Sequence, residues 1–360
     1  MKKVLLVGGA GYVGSVMNRE LLDRGYAIKV LDRLYFGKHG ITPNHDRIQL
    51  IIGDMRTIDH EIFNDVEAIV NLGGLSNDPT AEYNTKANYE MNTLATYKLA
   101  EMAKACGIRR YIMASSCSIY DRGVSHQEWD IIQDETTPVE PHAAYSGSKY
   151  EAEKLLLKIA DKNFCPIILR KGTLYGFSPR MRYDLVVNTF VMDALSKGVI
   201  TIHYGGEMWR PLVDVRDAAR AYIALLEADE KLVNGEIFNL VYANMRISEL
   251  ALRVQSALRE VGVKVEINAD YNYSGVRSYR VSGQKLTRVL GFWPVISIEE
   301  SVKNMVQKIR SSGYTDFDNP KYHNIRWMKF LEEANEIISI TGSVFESPQP
   351  IQLEVPAVKG

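Results

Sequence analysis

The sequence predicts a doubly wound α/β fold, a parallel sheet flanked by crossover helices, followed by a smaller C-terminal lobe. Three observations carry this reading. Short β-branched apolar runs alternate with amphipathic stretches through the first half of the 360 residues. A glycine-rich turn, Gly8-Gly9-Ala10-Gly11-Tyr12-Val13-Gly14, separates the first run from the first amphipathic stretch. Asp32 closes the second run, at the spacing a βαβ unit gives to a strand-end carboxylate.

The apolar runs predict strands over residues 3–7, 27–31, 48–52, 68–71, 111–114 and 166–170, and the helical periods fall over 14–24, 89–106 and 144–160. These make a first unit over 1–175. Past Gly176 the alternation becomes irregular, with Pro179 and Pro211 between shorter elements, which predicts a smaller lobe over 176–312. A helical period at 213–227 and an apolar run at 237–241 imply that the chain returns to the first sheet around 213–241. In the extension over 313–360, one amphipathic helix at 322–338 precedes a Ser-, Pro- and Gln-containing tail expected to be flexible.

Composition narrows the function classes. The chain is 46% hydrophobic and 24% charged, ordinary for a globular core. A formal charge of −1 supplies no basic field for nucleic acid, so any anionic ligand must be held by local groups. Cys106, Cys117 and Cys165 lack metal-ligand spacing, which argues against a zinc site and for a reducing compartment. The apolar run after Lys2-Lys3 is short and enters glycines instead of a cleavage site, and no stretch approaches the roughly 20 apolar residues of a membrane span. A cytoplasmic protein with no membrane partner is expected.

In the glycine turn, Gly8 permits the tight bend, Gly11 lets backbone approach a diphosphate, and Gly14 lets the helix pack on the sheet, with the anion at the positive helix end. This is a dinucleotide site of the Rossmann type, with Tyr12 and Val13 on its rim. Asp32 can accept both adenosine ribose hydroxyls and repels a 2′-phosphate, which favours NAD over NADP, although Arg33 stands beside it.

Further motifs follow in order: Gly53-Asp54-Met55, Leu72-Gly73-Gly74, Asn92, Ser115-Ser116-Cys117-Ser118-Ile119-Tyr120, Tyr145-Ser146-Gly147-Ser148-Lys149, Leu174-Tyr175-Gly176 and Arg210-Pro211-Leu212-Val213-Asp214. The ordered set resembles the extended short-chain dehydrogenase/reductase superfamily, and within it the NAD-dependent sugar-nucleotide epimerase/dehydratase branch, over roughly residues 1–312. The resemblance implies that Asp54 and Met55 contact adenine and that Leu72, Gly73 and Gly74 floor the cofactor site. Relatives usually carry alanines where Gly73 and Gly74 stand, so a looser loop is expected. Asn92 matches a residue that supports the active-site helix and a water chain.

The chemistry implied is oxidation of a sugar carbinol. Removing hydride from a secondary alcohol requires a base for its proton, and a free phenol with a pKa near 10 ionises too little. A lysine four residues along the same helix face puts a positive charge near the Tyr145 phenol. The resemblance gives Lys149 a nicotinamide-ribose contact and Ser116, four residues before Tyr120, the substrate oxygen.

Relatives that eliminate water carry an Asp-Glu pair where this chain has Cys117-Ser118. Both are expected to touch substrate, with a catalytic role for Cys117 set against a small buried residue. Asn188 and Arg210 resemble diphosphate ligands of a nucleotide-diphosphate sugar, with Arg277 as a second clamp; Arg180 and Arg182 crowd the same stretch and read equally as a solvated basic loop. An NDP-sugar 4-epimerase is the leading expectation. A 4-dehydrogenase, a 4-ketoreductase and, from another class, a non-catalytic NAD(P)-sensing binding protein stay open, and an enzyme for apolar alcohols ranks lower. The helices at 89–106 and 144–160 resemble those that pair in a homodimer, although Leu94, Leu99 and Met102 would equally suit packing on the sheet.

Overall fold

The computed structural model describes residues 2–42, 45–121, 131–271 and 277–342. The chain begins with β1 (Lys3–Val7), α1 (Tyr12–Asp23), β2 (Ala27–Asp32), β3 (Ile48–Ile52), β4 (Ala68–Asn71), α2 (Asp78–Tyr83) and α3 (Thr85–Tyr89). A π-helical turn at Glu90–Leu94 leads into α4 (Ala95–Ala105) and β5 (Arg110–Ser116). Next come β6 (Ile132–Gln133), α5 (Ala144–Lys158), β7 (Cys165–Lys171), β8 (Thr173–Tyr175), α6 (Val186–Lys197), β9 (Val199–His203) and β10 (Trp209–Asp214). The remainder holds α7 (Val215–Glu227), α8 (Glu230–Val233), β11 (Ile237–Leu240), β12 (Ala243–Arg246), α9 (Ile247–Glu260), β13 (Glu266–Asp270), β14 (Arg280–Val281), α10 (Gln284–Leu290), α11 (Ile298–Ser312) and α12 (Asn324–Thr341). The tail expected to be flexible, from 343 onward, lies outside the described residues.

Seven parallel strands form the central sheet in the order β11-β7-β5-β4-β1-β2-β3. The strands are apolar on both sides because helices cover both faces: Leu6, Val30 and Ile167 meet one core, and Leu5, Leu31 and Ile69 the other. The chain leaves β1 toward β2 and β3 and returns to β4 on the opposite flank, so a crevice opens between the carboxyl ends of β1 and β4. After the excursion that starts at β8, β11 pairs parallel with β7 and extends the same sheet.

A third apolar core lies among α6, α9 and α11, where Phe190, Val254 and Met305 are buried. The segment after α11 joins it: Tyr183 meets Phe317 and Tyr322 edge-on at 5.4 and 5.3 Å, and its hydroxyl donates to the Tyr314 carbonyl. Among the described residues no helix is long and apolar enough to cross a membrane, and no His/Cys/Asp/Glu group has the makings of a metal site.

The helix expected over 89–106 is broken by the π-helical turn, and the reason is visible in its partners. The Asn92 amide donates to Ser148 Oγ and to the Leu75 carbonyl, while Thr93 Oγ1 donates to the Ser148 carbonyl. The widened turn aims both side chains at α5. Leu99 is buried on the sheet and Met102 packs beside it, whereas Leu94 is exposed.

Candidate active site

The crevice at the strand ends widens into a cleft of about 430 Å³, within the range of small-molecule sites. Gly8, Gly11, Tyr12, Val13, Gly14, Asp32, Asp54, Met55, Leu72, Gly73 and Gly74 line one half. Ser116, Ser118, Tyr145, Lys149, Arg210 and Arg277 line the other.

The glycine turn is a cradle that side chains would fill. Gly8 has φ +75°, and a Cβ on Gly14 would come within 2.5 Å of the Gly8 carbonyl oxygen. The residues that follow β4 are equally tight: Gly74 has φ +123°, and a Cβ there would sit 2.0 Å from Asn92 Oδ1 and 3.6 Å from Lys149 Nζ. The loop of Gly73 and Gly74, expected to be looser, is therefore closely packed against the π-helical turn and α5. Asn92 itself does not line the cleft; it is buried and fixes that loop and α5 to each other.

At the end of β2, Asp32 accepts from the Ala10 and Leu34 backbone amides at 3.0 and 2.7 Å, and burial raises its pKa against those bonds. Asp54 is pushed up by burial, but the Arg56 fork and Arg33 outweigh this and lower it overall. Arg33 is thereby committed to Asp54 and lies 4.4 Å over the Tyr35 ring. A dinucleotide fits what is here: backbone free to approach a diphosphate at a helix start, and a strand-end carboxylate for a ribose.

Tyr145 opens α5 and Lys149 follows one turn on, with Lys149 buried. The helix is anchored from below by Glu153, which is buried, accepts from Ser115 Oγ and takes the guanidinium of Arg170 at 2.6 Å. Ser116, at the end of β5, hydrogen-bonds the Tyr145 phenol and accepts from the Ser118 amide at 3.1 Å. Burial, aided by the negative charge of Asp78, pushes the phenol up to about 12, against the pull of Arg182, Ser116 and Arg277. Arg182 and Arg277 are the cations that draw the phenol down most. Burial holds the Lys149 ammonium down at about 8, with Glu153 opposing, so its charge is lost before the phenol ionises.

Arg210 and Arg277 meet at the far end. Arg277 pairs with Asp78 at 2.6 Å and Asp121 at 3.0 Å, and Arg210 donates to the Arg277 carbonyl beneath the Tyr279 ring. Two expected substrate contacts are not brought to the cleft. Asn188 is fully buried and spends its amide on the Arg182 carbonyl, the Tyr12 hydroxyl and Gly176, locking the loop after β8 to α1. Cys117 is fully buried, donates to the Arg170 carbonyl at 3.3 Å, and has its thiol pKa pushed well up by that burial. Both are packing residues here.

The cleft also holds side chains that the motifs did not assign. Asp78 follows Asn77, whose side chain caps α2 by accepting from the Thr80 amide, and Asn77-Asp78-Pro79 was a legible helix start. Lys171 ends β7, donates to the Ser115 carbonyl at 2.7 Å, and is held down at about 7 by burial and by Lys149. Arg180, Arg182, Asn324 and Met328 also line the cleft, the last two from α12.

The profile of the NAD dependent epimerase/dehydratase family matches residues 4–240. The chain is 27% identical over 323 residues to the UDP-N-acetyl-alpha-D-glucosaminuronate decarboxylase of Bacillus cytotoxicus, covering 86% of this chain and 98% of that protein. Among solved structures it resembles the UDP-N-acetylglucosamine 4-epimerase of Methanobrevibacter ruminantium in complex with UDP-N-acetylmuramic acid, with a TM-score of 0.76, 23% identity, and coverage of 86% of this chain and 99% of that one. It also resembles the UDP-glucuronic acid 4-epimerase of Bacillus cereus in complex with UDP-glucuronic acid and NAD, with a TM-score of 0.74, 21% identity, and the same coverage of 86% and 99%. Both structures share its fold.

Proposed function

The chain belongs to the NAD-dependent epimerase/dehydratase family, and from that premise we propose that it is an NDP-sugar 4-epimerase that inverts the hydroxyl at sugar carbon four. The observation that carries the proposal is the convergence of Ser116, Tyr145 and Lys149 beside the glycine turn, with no carboxylate directly after Ser116. NAD, when bound, supplies the acceptor and donor of hydride for that carbon.

The chain's own residues do the rest. Ser116 holds the sugar hydroxyl against the Tyr145 oxygen, and Tyr145 takes its proton and later returns it to the inverted alkoxide. Lys149 holds the cofactor ribose. Arg210 and Arg277 hold the substrate diphosphate, for which guanidinium gives paired, charge-assisted bonds. A sugar that can turn over while held by its diphosphate offers either face of the 4-keto intermediate. We further propose that the protein works as a homodimer through α4 and α5, the π-helical turn that leads into α4 leaving Leu94 exposed.

The test is a panel of UDP-, GDP-, CDP- and dTDP-sugars with NMR of the products. A 4-epimer that keeps its 6-hydroxyl, formed with catalytic NAD, is expected. Stoichiometric consumption of NAD or NADH would replace the proposal with a 4-dehydrogenase or 4-ketoreductase. A 4-keto-6-deoxy product would replace it with a dehydratase, and a pentose with released CO2 with a decarboxylase.

A further inference from the structure

Arg180 is a buried charge that the fold and the proposed reaction leave without a role. It is 5% exposed and lines the cleft, yet Nε and Nη1 meet no acceptor among the described residues. Its remaining bond runs from Nη2 to Asn324 Oδ1 of α12 at 2.5 Å, and the guanidinium lies 3.6 Å over the Phe36 ring. The fork is held rigidly by a ring on one side and an amide on the other, with two N–H edges left for an anion.

Its neighbours say which anion. Arg180 lies close enough to Asp32 and Tyr12 for their charges to act on one another, so it faces the adenosine end and the start of α1. Arg210 and Arg277 occupy the opposite end, next to Tyr279 and Asp78. Burial, aided by the positive charge of Arg182, holds the Arg180 guanidinium down at about 9 against the pull of Asp184 and Asp32, and neither carboxylate bonds the free Nε and Nη1 edges.

We propose that Arg180 binds the diphosphate of the dinucleotide from the side opposite the glycine turn, and that α12 is a strap holding it there. The strap is fastened at several points. Asn324 Nδ2 donates to Ser76 Oγ at 3.0 Å, its backbone N–H donates to Asp184, and Trp327 Nε1 donates to the Tyr35 carbonyl at 2.6 Å. Met328 adds apolar wall beside it. The proposal rests on the dinucleotide reading of the cleft and is independent of which sugar reaction follows. A cofactor clasped between α1 and α12 leaves only when the strap opens, which suits an enzyme that reuses one dinucleotide through many turnovers.

The experiment is calorimetry on the full-length protein stripped of cofactor, with NAD, ADP-ribose, adenosine and UDP as probes. Arg180→Met is expected to weaken NAD and ADP-ribose by about tenfold or more, with adenosine and UDP held within about twofold. Asn324→Ala, which frees the fork without removing it, is expected to speed NAD dissociation by about threefold or more in a competition trap, UDP affinity unchanged. Unaltered NAD affinity in a folded Arg180→Met variant overturns the proposal, as does a loss confined to UDP or one shared equally by adenosine. If Arg180→Met fails to fold, the dissociation rate of the Asn324→Ala variant decides. None of these readouts requires turnover, so the wrong reaction class would leave them intact.

Discussion

The proposed mechanism concentrates the proton transfer in the Tyr145 oxygen, and the environment of that oxygen sets two predictions. Tyr145→Phe keeps the ring and removes the proton acceptor, so turnover should fall by about 10²–10⁴-fold with NAD affinity preserved. Steady-state kinetics beside cofactor titration check the split, and near-normal turnover would contradict the assignment. The second concerns pH. Asp78 opposes ionisation of the phenol and also occupies Arg277, which favours it. Asp78→Asn therefore lowers the phenol pKa by both routes, and the limb of the rate profile that rises with pH should move to lower pH by roughly one unit. A profile that moves to higher pH would mean that Asp78 acts otherwise. Asp32→Ala should bring NAD and NADP affinities closer together, since the carboxylate that repels a 2′-phosphate is gone.

Elements were more legible than contacts. The strands expected at 3–7, 48–52 and 68–71 are present with those ends, because β1 and β4, buried on both faces, advertise themselves as apolar runs, and the edge strand β3 keeps enough β-branched residues to be read despite its exposed Gln49 and Ile52. The helix at 89–106 looked continuous because period reports only which face is apolar. It says nothing of the side-chain bonds from Asn92 and Thr93 that widen one turn. The residues Ser116, Tyr145 and Lys149 were found by their resemblance to ordered family motifs, whereas Lys171, Asp78 and Asn324 enter the cleft through pairings between segments far apart in sequence, which no local motif expresses. Asn188 and Cys117 sit at legible positions but are turned inward by Gly176, Tyr12 and Arg170. The same scale yields a prediction at Gly74, where alanine would need φ +123° and would press on Asn92. Gly74→Ala should cost about 1–3 kcal/mol in denaturant unfolding and weaken NAD, whereas a Gly107→Ala control, with φ +80° but open space, should lose stability without losing NAD.

At the scale of the whole molecule, a chain with a formal charge of −1 carries a cleft rich in basic side chains. The cleft is lined by seven basic side chains, Arg33, Lys149, Lys171, Arg180, Arg182, Arg210 and Arg277, against three carboxylates, Asp32, Asp54 and Asp78. Two of those cations are held far below the ordinary lysine value, Lys171 at about 7 and Lys149 at about 8, both mainly by burial. The unfolded chain, with lysines near 10.4, therefore binds more protons than the folded one above about pH 7, and stability must rise with pH there. The burden of burying the two charges is complete below the folded values and lifts as pH climbs through them. Protein stripped of cofactor should thus melt at a higher temperature at pH 8.5 than at about pH 6.5, with Lys171→Met flattening the rise. Diphosphate binding must run the other way, because deprotonation of the same lysines removes positive charge from the cleft. The added stabilisation by NAD should shrink over that interval, and NAD binding should take up protons. Calorimetry in two buffers of different ionisation enthalpy measures that uptake. A melting temperature that falls from about pH 6.5 to 8.5, or NAD binding that releases protons, would show that the lysines keep their charge in the folded protein and that the cleft is built around fixed cations alone.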